Sequence, residues 1–198
     1  MRMAVQMLRT GLIDPTEQPE ALRMVDRQID VLLETVEQFG DLLRLNAGTF
    51  EMRPERSDLA DVLTLLEGRS ALRRELDQRG VTLVPEPRQT PLFAMHDARR
   101  LASVLEFLVL KFAKTASRGS EVRVLVQGKG STAVWSILGG AATLADDVEL
   151  QWLLGGSANV LECEAQTVLA REIAKLSSLQ FGAFTAGAAL EITMPLEP

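Results

Sequence analysis

Val25, Ile29, Leu32, Val36, Phe39 and Leu43 recur at alternating steps of four and three, and no other feature constrains the fold as strongly. This is the a/d seam of a helix packed against other helices in a supercoil. Met1, Val5, Leu8 and Leu12 follow the same rhythm upstream, and the polar turn Asp14–Pro19 between the two segments predicts a helical hairpin. A helix over Glu20–Leu45 would be roughly 39 Å long, whereas one over Met1–Leu12 would reach about 18 Å. Half of the long seam is therefore expected to take its cover from a second copy, from another protein, or from residues preceding Met1.

Composition narrows the remaining options. The 198 residues are 46% apolar and 24% charged, values ordinary for a globular protein with a real core. A net charge of −6 without a basic run argues against nucleic acid as a partner. No apolar run approaches the roughly 20 residues of a membrane span, so no membrane insertion is expected. Cys163 is the single cysteine, which rules out a disulfide within this sequence and makes the cytoplasm the expected compartment. With one histidine, His96, beside that cysteine, no metal site is expected.

The rhythm changes near Gly48–Pro54, where a boundary is expected between a hairpin domain (1–50) and a second domain (54–198). Asn46-Ala47-Gly48 should end the long helix, and Thr49–Arg53 reads as a short strand closed by Pro54. A helix is expected from a Ser57 cap to about Gln78, with strands at Val81–Val84 and Leu92–Met95. Asp97 can cap a helix over Ala98–Lys114 whose Leu101, Val104, Leu105, Leu108 and Phe112 form one apolar face. Strands at Val122–Val126 and Ala133–Leu138 flank a hairpin turn at Gly128-Lys129-Gly130. Helices near Asp146–Leu154 and Ala165–Ser177 and a closing strand at Ala188–Met194 complete an α+β sandwich with mostly antiparallel strands.

This order resembles that of a sensor histidine kinase, a dimerising helical hairpin followed by a Bergerat/GHKL-like α/β sandwich. Leu42-Leu43-Arg44-Leu45-Asn46-Ala47-Gly48-Thr49-Phe50-Glu51-Met52-Arg53-Pro54 resembles the "LLxLSRLEAGKxxLxP" junction of that family. Asp58-Leu59-Ala60-Asp61-Val62-Leu63 is similar to the helix that opens its ATP-binding domain, and His96-Asp97-Ala98-Arg99-Arg100-Leu101 to its "GDPxRL" segment. Gly187–Leu196 is similar to its terminal "GSTFTVTLPL" strand. The resemblance spans nearly the whole chain and implies half of a dimeric four-helix bundle joined to an ATP-binding domain.

At the functional positions the chain departs from that pattern. Lys111 stands where the resemblance puts the Asn that reaches Mg²⁺ and phosphate, and Phe107 stands at the earlier Asn. Leu138 or Ile137 falls where an Asp should accept from the adenine amino group, ahead of Gly139-Gly140. Glu162, Glu164 and Gln166 fall at the glycines of the phosphate loop, so side chains block the backbone approach and two carry the wrong charge. Met1–Leu12 carries no phospho-accepting histidine. The resemblance puts that box roughly eight to ten residues before Met1, so either it is lacking or it lies in residues preceding Met1. Nucleotide binding is not expected, and no catalytic residue or cofactor is assigned.

The remaining candidates have plain accounts. His96 reads as a strand-end residue before a helix cap, and Cys163 as an ordinary thiol whose pKa Glu162 and Glu164 would raise. Lys111 and Lys114 read as a solvated polar face, and Gly128-Lys129-Gly130-Ser131 as a hairpin turn. The seam, with Val5, Leu8 and Leu12, is expected to be the dimer interface. Arg9, Gln28, Glu37 and Arg44 are candidate contacts for a response-regulator receiver domain or a histidine kinase. The expected function is thus a two-component scaffold resembling a histidine kinase. The alternatives are a histidine phosphotransferase with its acceptor upstream of Met1, or a truncated sensor histidine kinase.

Overall fold

Residue contacts divide the chain into two compact units, Met1–Gly48 and Thr49–Pro198. The computed structural model describes residues 16, 18–86, 90–140, 147–155, 164–182 and 189–196, without the side chains at 27, 30, 31, 34, 38 and 189. In the first unit the described part is one helix, α1, Gln18–Asn46. It closes through Ala47 N–H donating to the Leu43 carbonyl at 2.9 Å and Gly48 N–H to Leu45 at 3.1 Å. The upstream half of the expected hairpin, Met1–Leu12, lies outside the described residues.

The second unit is an α+β sandwich. Its elements in order are β1 (Glu55–Asp58), α2 (Leu59–Glu67), α3 (Ser70–Arg79), β2 (Thr82–Glu86), β3 (Phe93–His96) and α4 (Ala98–Thr115). After them come β4 (Glu121–Lys129), β5 (Thr132–Leu138), α5 (Val148–Leu153), α6 (Ala165–Leu176), β6 (Gln180–Phe181) and β7 (Ala189–Pro195). Five strands form one sheet in the order β2-β4-β5-β7-β6, and β1 pairs with β3 separately. The main sheet is antiparallel except at β2–β4, where Leu83 lies beside Val122 in parallel register.

Alternation along the strands builds the core. Val122, Val124 and Val126 of β4 are buried while Glu121 and Arg123 face out, as the two-residue period requires. Register then aligns Val124 with Ile137, Val126 with Trp135, and Trp135 with Ile192. Central to the helical layer is α4, which packs against α2, α3 and α6 and against strands β4 and β5. The turn between β4 and β5 is a two-residue loop, Gly130-Ser131, set by the Lys129–Thr132 pair. Gly130 has φ +63° while Ser131 does not turn left-handed, the combination of a type II′ hairpin turn.

Three sequence expectations need correction. The helix expected from Ser57 to Gln78 is two helices: Asp58, not Ser57, caps α2 by accepting from Ala60 N–H at 3.1 Å. The chain breaks at Gly68-Arg69, where Gly68 closes α2 and Arg69 takes an extended backbone and sends its guanidinium to α4. The strand expected at Thr49–Arg53 instead follows Pro54, where Glu55–Asp58 pairs with β3. The turn expected at Gly128-Lys129-Gly130 falls at Gly130-Ser131, because Gly128 and Lys129 still pair with Ala133 and Thr132. Strand β6, only two residues long, is too short to carry an alternation signal.

Candidate functional site

Helix α4 places the first two candidates. Asp97 caps it, with Oδ1 accepting from Arg100 N–H and Oδ2 from Arg53 N–H, both at 3.1 Å. Phe107 and Lys111 lie one turn apart on the same helix, and both are buried. Lys111 Nζ stands 5.5 Å from the centroid of the Phe107 ring. The reading of Lys111 as part of a solvated face is therefore overturned: only 6% of it is exposed, whereas Lys114 does face solvent. A buried ammonium persists only when it is paired. Lys111 Nζ donates to Glu149 Oε2 and lies 3.6 Å from Asp147 Oδ2.

Both carboxylates come from the start of α5. Asp147 caps that helix, Oδ1 accepting from the amides of Glu149 and Leu150 at 3.0 Å each. Glu149 turns its other oxygen, Oε1, to the amide of Glu164 at 2.6 Å. Glu164 is the N-cap of α6 and its own side chain makes no capping bond. The Glu149 carboxylate thus supplies an acceptor and a negative charge at a helix start, where amides lack intrahelical partners. Burial alone would push Glu149 upward in pKa. The bonds from Lys111 and the Glu164 amide, together with the Lys111 charge, outweigh that burial and hold the carboxyl below 4.5.

Leu138 ends β5 half-buried, between Arg123 of β4 and Ala189 of β7 in register, while Ile137 is fully buried in the core. Neither offers an acceptor. Gly139 follows with φ +128°, and a Cβ there would stand 2.6 Å from the Glu121 carbonyl oxygen. Its close backbone approach is made to the chain's own β4. Gln166 is exposed in the first turn of α6; Glu162 and Cys163 lie outside the described residues.

Two further features complete the picture. His96 is buried at the end of β3, Nδ1 donating to the Ala94 carbonyl at 3.1 Å and Nε2 lying 3.3 Å from the Ser57 hydroxyl. Arg69 donates to Glu106 of α4, to the Ser103 hydroxyl at 2.9 Å and to the Arg99 carbonyl at 3.1 Å. Burial of Glu106 prevails over the charge and bond of Arg69, so its pKa rises above 4.5.

On α1 the seam is displayed. Ile29, Leu32, Val36, Phe39 and Leu43 are 44–67% exposed, as are Leu22 and Leu33 within that range, while Val25 is half-buried. At 100° per residue these positions fall within about 120° of arc, the width of a packing face. Gln28 and Glu37 are exposed, and Arg44 donates to Asp41 at 3.0 Å. Val5, Leu8, Arg9 and Leu12 lie outside the described residues.

Sequence reading thus located Lys111 and Glu164 but missed Asp147 and Glu149, which bring them together. The available signal was a lysine inside the buried stripe of α4, which demands a carboxylate. The acidic Asp146-Asp147-Val148-Glu149 run was the nearest source.

No protein-family model matches the sequence, and no curated protein does. Solved structures match at the level of fold. The Acinetobacter baumannii histidine kinase AdeS superposes with a TM-score of 0.59 at 18% identity, over 100% of this chain and 93% of that one. The catalytic domain of the histidine kinase ThkA, in two nucleotide-free forms, gives TM-scores of 0.56 and 0.54 at 11% identity. Those matches cover 74% and 73% of this chain and 99% and 97% of theirs. The fold is that of histidine-kinase catalytic domains.

Proposed function

We propose that this chain is a two-component signalling protein that uses the histidine-kinase fold without nucleotide, as a dimeric scaffold for a receiver domain or a kinase. The observation that carries the reading is Lys111, a buried cation already engaged by Glu149 and Asp147. It stands where the resemblance calls for an Asn that reaches Mg²⁺ and phosphate. A phosphate approaching the start of α6 must displace Glu149 from Lys111 and from the Glu164 amide. Those two charge-assisted bonds contribute about 1.5–3 kcal/mol each. If Glu149 stays, a carboxylate about 4 Å from one phosphate charge costs about 4 kcal/mol at an effective dielectric near 20. Either loss consumes much of the roughly 8 kcal/mol that defines a micromolar site. Leu138 adds no acceptor for an adenine amino group. These residues do not fit a magnesium nucleotide.

The scaffold half rests on α1. An apolar stripe running the length of a 29-residue helix suits a second copy of itself, since two hairpins meeting through such stripes make a four-helix bundle. The exposed Gln28, Glu37 and Arg44 would then lie beside the seam for a receiver domain or a kinase. The test combines thermal unfolding with millimolar Mg-ATP and light scattering. The expected result is an unchanged melting temperature and a particle of twice the 21.7 kDa chain mass. A rise of several degrees overturns the nucleotide half, and a monomer overturns the scaffold half.

A further inference from the structure

Helix α5 has only six residues, too few to hold together alone. It nonetheless buries Leu150, Trp152 and Leu153. Its polar end is fastened in three directions at once. Asp147 caps the helix with Oδ1 and faces Lys111 of α4 with Oδ2; Glu149 accepts from Lys111 with Oε2 and from the amide of Glu164, the N-cap of α6, with Oε1. Farther along, Arg171 of α6 stacks 4.0 Å from the Trp152 ring.

The geometry points to a latch: Lys111, Asp147 and Glu149 lock α5 onto α4 and onto the start of α6, so the closed arrangement needs no bound ligand. Two properties make this cluster a latch rather than simple packing. Lys111 is buried, and Glu149 and Asp147 are half-buried against it. Removing either Lys111 or Glu149 therefore leaves a partly desolvated ion without its main partner, which costs more than removing both together. Opening returns the charged groups to water, and the desolvation penalty recovered offsets part of the cost of exposing Leu150, Trp152 and Leu153. Helix α5 can thus open locally while the sheet stays formed. The position of α5 is thereby set by the chain's own side chains. The inference stands on this cluster alone and holds whether or not the chain dimerises or binds nucleotide.

Hydrogen exchange on the full chain tests it, comparing the parent with Lys111→Met, Glu149→Met and the double variant Lys111→Met/Glu149→Met. In each single variant the amides of α5 and of the first turn of α6 should exchange at least about tenfold faster, with β4 amides unchanged. The double variant should lie closer to the parent than either single does. Unchanged exchange of α5 in the singles overturns the latch. So does acceleration shared equally by β4 and β7, which would mark general destabilisation, and so does a double variant equal to the sum of the singles.

Discussion

Helices α1 and α4 carry the same kind of apolar stripe and meet opposite fates. On α4, Leu101, Val104, Leu105, Leu108 and Phe112 are shut away between the sheet and neighbouring helices. On α1, Ile29, Leu32, Val36, Phe39 and Leu43 remain about half or more exposed. Periodicity states that a face must be covered; it does not state by what. For α4 the cover comes from the rest of its unit. For α1 the proposed cover is a second copy.

The largest expected effect breaks that comparison directly. Phe112→Ala should lower unfolding stability by about 3–5 kcal/mol, because the surrounding core cannot refill the space. Both tryptophans, Trp135 and Trp152, lie in the second unit, so urea titration followed by their fluorescence reads that unit alone. Val36→Glu should leave the same titration within about 0.5 kcal/mol of the parent while halving the mass seen by light scattering. A Val36→Glu chain that keeps its mass would put the α1 face back to being mere surface.

The charged interruptions of α4 give the next two tests. Lys111→Met leaves Glu149 without its cation and should lower the opening free energy of α5 by at least about 1.4 kcal/mol. That is the equivalent of about tenfold faster exchange of its amides, with the urea midpoint of the unit little changed. Lys114→Met, three residues on and exposed, should change that opening free energy by less than about 0.5 kcal/mol. Equal effects would mean that burial of Lys111 carries no energetic weight. Gly139→Ala follows, at about 1–3 kcal/mol, since the position combines a left-handed backbone with the Glu121 carbonyl against any Cβ. A neutral Gly139→Ala would show that β4 and the end of β5 separate easily.

These contrasts also mark what the sequence could convey. The apolar face of α4 and its Asp97 cap are local signals, repeated within one or two turns, and both were readable. The break at Gly68-Arg69 was also written locally. Leu59, Val62, Leu63 and Leu66 keep the helical beat, but the next buried positions, Leu72 and Leu76, resume it six residues later. Why the chain breaks there was not local: Arg69 turns away to meet Glu106 and Ser103, more than thirty residues on. The Lys111–Glu149 pair spans 38 residues and was invisible for the same reason. Side-chain pairing across such separations leaves only a residual trace, a charge sitting where the pattern calls for an apolar residue.

The carboxyl groups of Glu106 on α4 and of Glu149 against it should also respond to acid in opposite senses, the smallest effect predicted. Glu149 titrates below 4.5 in the folded chain. Its contribution is therefore complete above about 4.5 and lost as pH falls through the lower folded value, where the unfolded chain already holds the proton. Glu106 titrates above 4.5 in the folded chain. Its contribution is complete below about 4.5 and lost as pH rises through the higher folded value, where the folded chain must release a proton it prefers to keep. Urea midpoints measured from pH 7 to pH 3 for the parent, Glu149→Gln and Glu106→Gln separate the two. The advantage of the parent over Glu149→Gln should shrink on acidification below about 4.5, whereas its standing against Glu106→Gln should improve as pH falls toward about 4.5. Differences that move in the same direction would mean that Arg69 and Lys111 hold their carboxylates alike, and that the two interruptions of the buried face are equivalent after all.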